Sequence, residues 1–130
     1  MPITFVKIKV SNLARPKKFA IHEFLLDSGA MYSVLPAAEL KKLGIKAVRQ
    51  EEFTLANGET VTKGVGNALF EYQGKIGAAP VILGDEGVYL LGATTLESIG
   101  LMLDPLRREL KPAPMLLMAV PSLSQSPATT

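Results

Sequence analysis

Apolar and polar side chains alternate along residues 3–10, the two-residue period of a β-strand. Residues 11–18 are polar and include Pro16, which makes them a turn. A second strand follows over residues 19–26 and runs directly into Asp27-Ser28-Gly29-Ala30. After the brief apolar pair Val34-Leu35, residues 36–44 read as a short helix, with Pro36 in its first turn and Gly44 at its close. Residues 53–55 and 60–62 are strand-forming and flank Ala56-Asn57-Gly58-Glu59. Asn-Gly between strand formers is a strong hairpin signal, because both residues tolerate positive φ.

Two more strands are expected over residues 67–72 and 76–83, joined by a turn at Gln73-Gly74, with Pro80 placing the second at an edge. The polar turn 84–87 precedes an apolar strand, residues 88–92, stopped by glycine. Residues 94–100 predict a second short helix, in which Thr94 and Glu97 have capping-box spacing and Gly100 ends the helix. Residues 101–103 form a last core strand, Asp104-Pro105 turns the chain, and residues 106–110 pair once more. The order strand, glycine turn, short helix, Gly plus an apolar residue occurs twice, over residues 24–45 and 89–101, and only the first copy has an aspartate at the turn.

The length of 130 residues fits one domain. A 48% hydrophobic content supplies a core, and 20% charged residues is too modest for a disordered chain. The 11 glycines and 9 prolines fall between short apolar runs, favouring many short strands over a few long helices. The expected division is a domain over residues 1–110 and a Pro/Ser-rich tail over residues 111–130, disordered from residue 122. Within the tail, residues 115–120 are apolar and read either as a strand supporting a dimer or as a docking segment.

Net charge is +2, and the basic spots Arg15-Pro16-Lys17-Lys18 and Arg107-Arg108 are short and lack interleaved aromatics, which argues against nucleic acid as a partner. There is no cysteine, which removes disulfides, zinc–thiolate sites and thiol catalysis. The single histidine, His22, reads as a strand residue with a hydrogen-bond partner, and Tyr72 and Tyr89 as packing residues. No metal and no cofactor are expected. Residues 1–10 lack the apolar core of a secretory signal, and the run 115–120 is far shorter than the roughly 20 residues a bilayer span needs, so a soluble, cytoplasmic protein is expected.

The chemistry concentrates at Asp27. It ends the apolar run Phe24-Leu25-Leu26, so its carboxylate stands at the mouth of a core, and Gly29 lets backbone approach whatever occupies the site. The Ser28 hydroxyl is free to bond across to another backbone. The plainer reading is an Asx turn after a strand. Asp-Ser-Gly-Ala after an apolar strand, then Ser33, then a hairpin with a tight tip, then Leu90-Leu91-Gly92 leading into a short helix resembles the retropepsin-like aspartic proteases, which include the retroviral proteases and single-domain bacterial and archaeal relatives. The resemblance extends over about residues 3–110.

The resemblance implies an all-β fold, a small closed acid-protease barrel with one or two short helices that forms a two-fold homodimer. It implies an endopeptidase in which Asp27 is catalytic, Ser28, Gly29 and Ala30 form the active-site loop, Ala56, Asn57 and Gly58 form a flap, and Leu90, Leu91 and Gly92 form the second apolar-Gly signature. Ser28 would bond the opposite subunit's active-site loop, and Ala30 and Leu91 would line apolar pockets. Hydrolysis in this family takes two aspartates sharing one proton around a water. Asp85 lies in a polar turn and Asp104 precedes a proline, and neither is followed by Ser-Gly, so the second carboxylate must come from a second copy of the chain. The partners implied are itself and a peptide or protein substrate, with no membrane. The sequence departs from the retroviral pattern at Ser28 (commonly threonine), at the Asn-Gly tip and at Ala93, where an arginine usually braces the dimer. Two rivals keep the barrel: a catalytically idle dimeric peptide-binding module, and a structural barrel whose Asp-Ser-Gly is an accident.

Overall fold

The strands take shape wherever short β-branched and aromatic runs lie between turn residues. The structure, a computed structural model, describes residues 4–27, 29–104 and 106–114. In chain order it has β1 (Phe5–Ser11), β2 (Phe19–Leu26), β3 (Ser33–Pro36), α1 (Ala37–Lys42), β4 (Arg49–Thr54), β5 (Thr60–Tyr72), β6 (Lys75–Gly84), β7 (Leu90–Leu91), α2 (Ala93–Ser98), β8 (Leu101–Asp104) and β9 (Glu109–Pro112). The main sheet runs β1-β2-β7-β3-β6-β5-β4, and a further β1–β5 pairing closes it into a ring. β4 hangs from β5 outside that ring, and β8–β9 is a separate two-stranded ribbon.

Alternate residues of the ring point inward and are removed from water. Ile8, Val10, Phe24, Leu35, Phe70, Val81 and Leu91 are fully buried, and α1 and α2 cover the ends of this core with Leu40 and Leu96. Burying one such side chain stabilises the fold by about 1.5–3 kcal/mol before chain entropy is counted. The two copies of the internal repeat meet inside the ring. β2 and β7 pair in parallel, Leu25 against Leu90 and Leu26 against Leu91, so the end of each apolar run lies beside its counterpart.

Several expectations are corrected. Residues 60–62 and 67–72 belong to one long strand, β5, despite Gly64 and Gly66 between them. The glycines serve a close approach: a Cβ on Gly66 would lie 2.6 Å from the Lys46 carbonyl oxygen, where the chain crosses over the strand. The strand expected over residues 88–92 is reduced to Leu90–Leu91, and the pairing expected over residues 106–110 lies at Glu109–Pro112. Pro36 is the N-cap of α1 and not its first turn. Thr94 and Glu97 do not form a capping box: the N-cap of α2 is Gly92, with no side-chain cap. Pro80 sits in β6 just before Val81, where β3 begins to pair, so only β5 flanks the strand there, as an edge position requires. At the Gln73-Gly74 turn both residues have positive φ, 50° and 83°. The expectations for residues 115–120 and 122–130 and for Pro105 lie outside the described residues.

Candidate active site

Asp27 leaves the end of β2 at the point where β7 joins it. Its backbone N–H donates to the Leu91 carbonyl at 3.0 Å, and the Ala30 N–H returns to the Asp27 carbonyl at 3.1 Å. The Gly29 N–H donates to Asp27 Oδ1 at 3.0 Å, which orients the carboxylate. On the far side of the loop, the Ala93 N–H donates to the Ala30 carbonyl and the Thr94 N–H to the Met31 carbonyl, each at 2.9 Å. These are the first-turn amides of α2, which a helix cannot satisfy internally. The Asp27 loop caps the helix, which is why the capping box expected at Thr94 and Glu97 has nothing to do.

Gly92 makes this contact possible. A Cβ there would lie 2.6 Å from the Tyr32 carbonyl carbon and 2.7 Å from its oxygen. Leu91 is fully buried, so it is a core residue and not the pocket-lining one expected. Leu90, Leu91 and Gly92 therefore hold the Asp27 loop from behind.

The carboxylate faces a cleft of about 720 Å³ between the ring and the β4–β5 hairpin. Asp27, Gly29 and Ala30 line one side, and Ala56 lines it from the hairpin tip. The structure thus brings together the aspartate, its loop and the tip. Ser28 lies outside the described residues. Asn57 and Gly58 shape the tip without lining the cleft: the Gly58 N–H donates to the Leu55 carbonyl at 2.9 Å, and Asn57 Oδ1 accepts the Glu59 N–H at 2.9 Å. Only Gly58 has positive φ, 89°, so the tip is a longer turn than the two-residue loop its Asn-Gly pair suggested.

Sequence reading missed the residues that tie this hairpin to the ring. β4 and β5 pair Glu51 with Lys63 and Phe53 with Val61, and all four line the cleft. Lys63 Nζ donates to Asp85 Oδ1 at 2.8 Å. Arg49 Nε donates to Glu51 Oε1 at 2.8 Å, and Arg49 also reaches the Tyr32 hydroxyl at 3.4 Å. The bond to Glu51 holds the Arg49 guanidinium still more firmly protonated than usual, against an opposing effect of burial. The Tyr32 ring meets Phe53 edge to face, with centroids 6.5 Å apart. The alternation of residues 49, 51 and 53 against 61, 63 and 65 is the signal that identifies this face, once the register is known.

His22 stacks on Tyr89 with ring centroids 4.8 Å apart, and Tyr89 also packs edge-on against Phe24. Among the described residues the expected hydrogen-bond partner of His22 is not found: its Nε2 lies 3.5 Å from Glu39 Oε1 and makes no hydrogen bond. Burial, and then the Glu39 carboxylate, push the Tyr89 hydroxyl above the usual tyrosine range, while Lys42 opposes them. Tyr72 and Tyr89 pack against the core, as expected.

A closed ring of short strands, two short helices in repeated positions and an aspartate loop under a hairpin define a retropepsin-like fold. The chain belongs to the aspartyl protease family, whose profile matches residues 17–95. The solution structure of the Simian Foamy Virus (mac) protease superposes with a TM-score of 0.53 at 17% sequence identity, covering 72% of this chain and 92% of that one. No curated protein sequence matches the chain.

Proposed function

We propose that the chain is an aspartic endopeptidase acting as a homodimer, with a water activated between Asp27 of one protomer and the partner's Asp27. The observation that carries this reading is the arithmetic of the cleft. Its other acidic residues are Glu51, bound to Arg49, Asp85, bound to Lys63, and Glu52 on the hairpin. None of these belongs to the loop that carries Asp27, so the second carboxylate of a dyad comes from another molecule. A two-fold axis beside that loop sets like against like.

Two carboxylates about 3 Å apart cannot both ionise, so one keeps a proton, and the resulting pKa values belong to the pair. The ionised member takes a proton from water as the water attacks the scissile carbonyl. The protonated member hydrogen-bonds the carbonyl oxygen and then helps protonate the leaving nitrogen. Substrate lies extended between loop and hairpin, held by main-chain hydrogen bonds like an added strand. The β4–β5 hairpin serves as the flap that excludes water.

The β8–β9 ribbon supports the dimer. It shares no strand pairing with the ring although Leu101 and Leu110 pack into the same core, its outer edges have no strand partner among the described residues, and Met102 and Leu106 are exposed on it. An open strand edge is a ready template for another chain, and pairing with a second copy satisfies it.

The test is a peptidase assay at about pH 4–6, where such dyads hold one proton. Cleavage should be blocked by a statine-type inhibitor, and Asp27→Asn should lower kcat by roughly 10²–10⁴-fold while the melting temperature stays within a few degrees. A folded dimer that cuts nothing in a broad peptide library is instead a peptide-binding module. A strictly monomeric protein ends the dyad proposal.

A further inference from the structure

Two hydroxyls lie in the apolar interior directly behind the Asp27 loop. Ser33, at the start of β3, and Thr95, in the first turn of α2, are both fully buried and are hydrogen-bonded to each other. Either hydroxyl can donate in that bond. Ser33 Oγ also accepts the Gly92 N–H at 2.9 Å. A buried polar pair of this kind adds little net stability, because an apolar pair of the same shape avoids the desolvation cost. Its presence asks for a role beyond holding the core.

Its position supplies one. The bonds that tie the Asp27 loop to the second repeat come from Asp27, Ala93 and Thr94, and Gly92 sits in the middle of that seam. All of those are backbone to backbone; at Gly92 the acceptor is a side chain. A serine hydroxyl can rotate toward another acceptor, so by itself it is a poor fixed point. Thr95, on a helix and fully buried, removes that freedom.

We propose that Ser33 and Thr95 form a positioning pair for Asp27. Thr95 aims the Ser33 hydroxyl at Gly92, and Ser33 thereby fixes the segment that holds the Asp27 loop at its working height in the cleft. Neither residue lines the cleft. The inference rests on the peptidase reading for its kinetic consequence, and it has a second readout that needs no catalysis.

The experiment uses the full chain and three variants: Ser33→Ala, Thr95→Val, which keeps the shape and removes the hydroxyl, and Thr95→Ser, which keeps the hydroxyl and removes a methyl. Measured are kcat and KM on a peptide substrate, amide hydrogen exchange at Gly92, Ala93 and Thr94, and the melting temperature. Because a displacement near 1 Å costs on the order of 10²-fold in rate, Thr95→Val should lower kcat by about 10- to 100-fold. Its KM should stay within about twofold, since the loss falls on the transition state. Gly92 exchange should accelerate, and Thr95→Ser should recover most of the rate. Ser33→Ala should go further in the same direction, because the Gly92 N–H is then buried without a partner. Wild-type kcat and Gly92 exchange in Thr95→Val overturn the proposal, as does a kcat that merely follows melting temperature across the variants. If Ser33→Ala does not fold, the contrast between Thr95→Val and Thr95→Ser decides. If the wild type cuts no peptide, the peptidase reading falls, and Gly92 exchange alone decides whether the pair holds the loop.

Discussion

Asp27 is held through backbone amides and carbonyls, so its neighbours tolerate change according to how much space they leave. Gly92 leaves none, since an added Cβ would press on the Tyr32 carbonyl group. Backbone cannot swing aside as a side-chain end can. Gly92→Ala is expected to destabilise the fold by about 1–3 kcal/mol in urea denaturation. It should also lower activity by more than the loss of folded protein explains. Tyr89 offers a second residue-scale test. Its hydroxyl is raised in the folded state by burial and then by Glu39. Its contribution to stability is therefore complete below the unfolded tyrosine value of about 10, and is lost as pH climbs through the higher folded value. The melting temperature should fall above about pH 10, and fall less in Tyr89→Phe. At this scale Asp27 was legible, because a carboxylate followed by Ser-Gly-Ala at the end of an apolar strand is an unusual placement. Thr94 and Glu97 misled because their spacing is right for a local cap, while the amides they would serve are taken by a loop distant in sequence. His22 misled because its ring lies tilted against Tyr89, with Glu39 3.5 Å from Nε2, and its Nε2 has no hydrogen bond among the described residues.

The informative element is the β4–β5 hairpin. Lys63–Asp85, Arg49–Tyr32 and the Tyr32–Phe53 ring contact fasten it to both walls of the cleft. The Asp85 and Arg49 side chains are largely exposed, 78% and 44%, so these polar ties add little to global stability. Lys63→Gln combined with Arg49→Gln should leave the urea midpoint of unfolding nearly unchanged. The same double variant should raise KM for a peptide by roughly two- to tenfold, because the hairpin closes less readily. Unchanged kinetics would show that the ties do not hold the hairpin over the cleft. The hairpin itself was readable from Asn57-Gly58, but its inward face was not, since parity depends on a register that only the folded pairing reveals. The length of β5 was hidden for a related reason: Gly64 and Gly66 look like a break, and the close crossing at Lys46 that explains Gly66 is a tertiary fact.

For the molecule as a whole, the alternation of short apolar runs and turns was enough to indicate a β-rich fold, and the repeated strand–helix order foreshadowed the parallel meeting of β2 and β7. Ring closure was legible only through the family resemblance, because nothing local distinguishes a barrel from an open sheet, and its seam between β1 and β5 came only with the structure. The proposed dimer makes a prediction at this scale. Mixing equal amounts of wild type and Asp27→Asn, with full subunit exchange, should lower activity per wild-type chain to about half, since half of those chains then face an inert partner. Activity that stays proportional to wild-type chain alone means that one aspartate suffices. Specific activity should likewise fall on dilution as dimers separate.

The seam of amides that anchors the Asp27 loop is drawn from residues 91–94, far along the chain from the aspartate it serves. During synthesis, a polypeptide that has left the ribosome only through α1 or the hairpin carries its acid on an unmoored loop, because contacts between distant segments form only when both are available. On the proposed reading, the aspartate is not held for catalysis until residues 91–94 have been made and have paired with its loop.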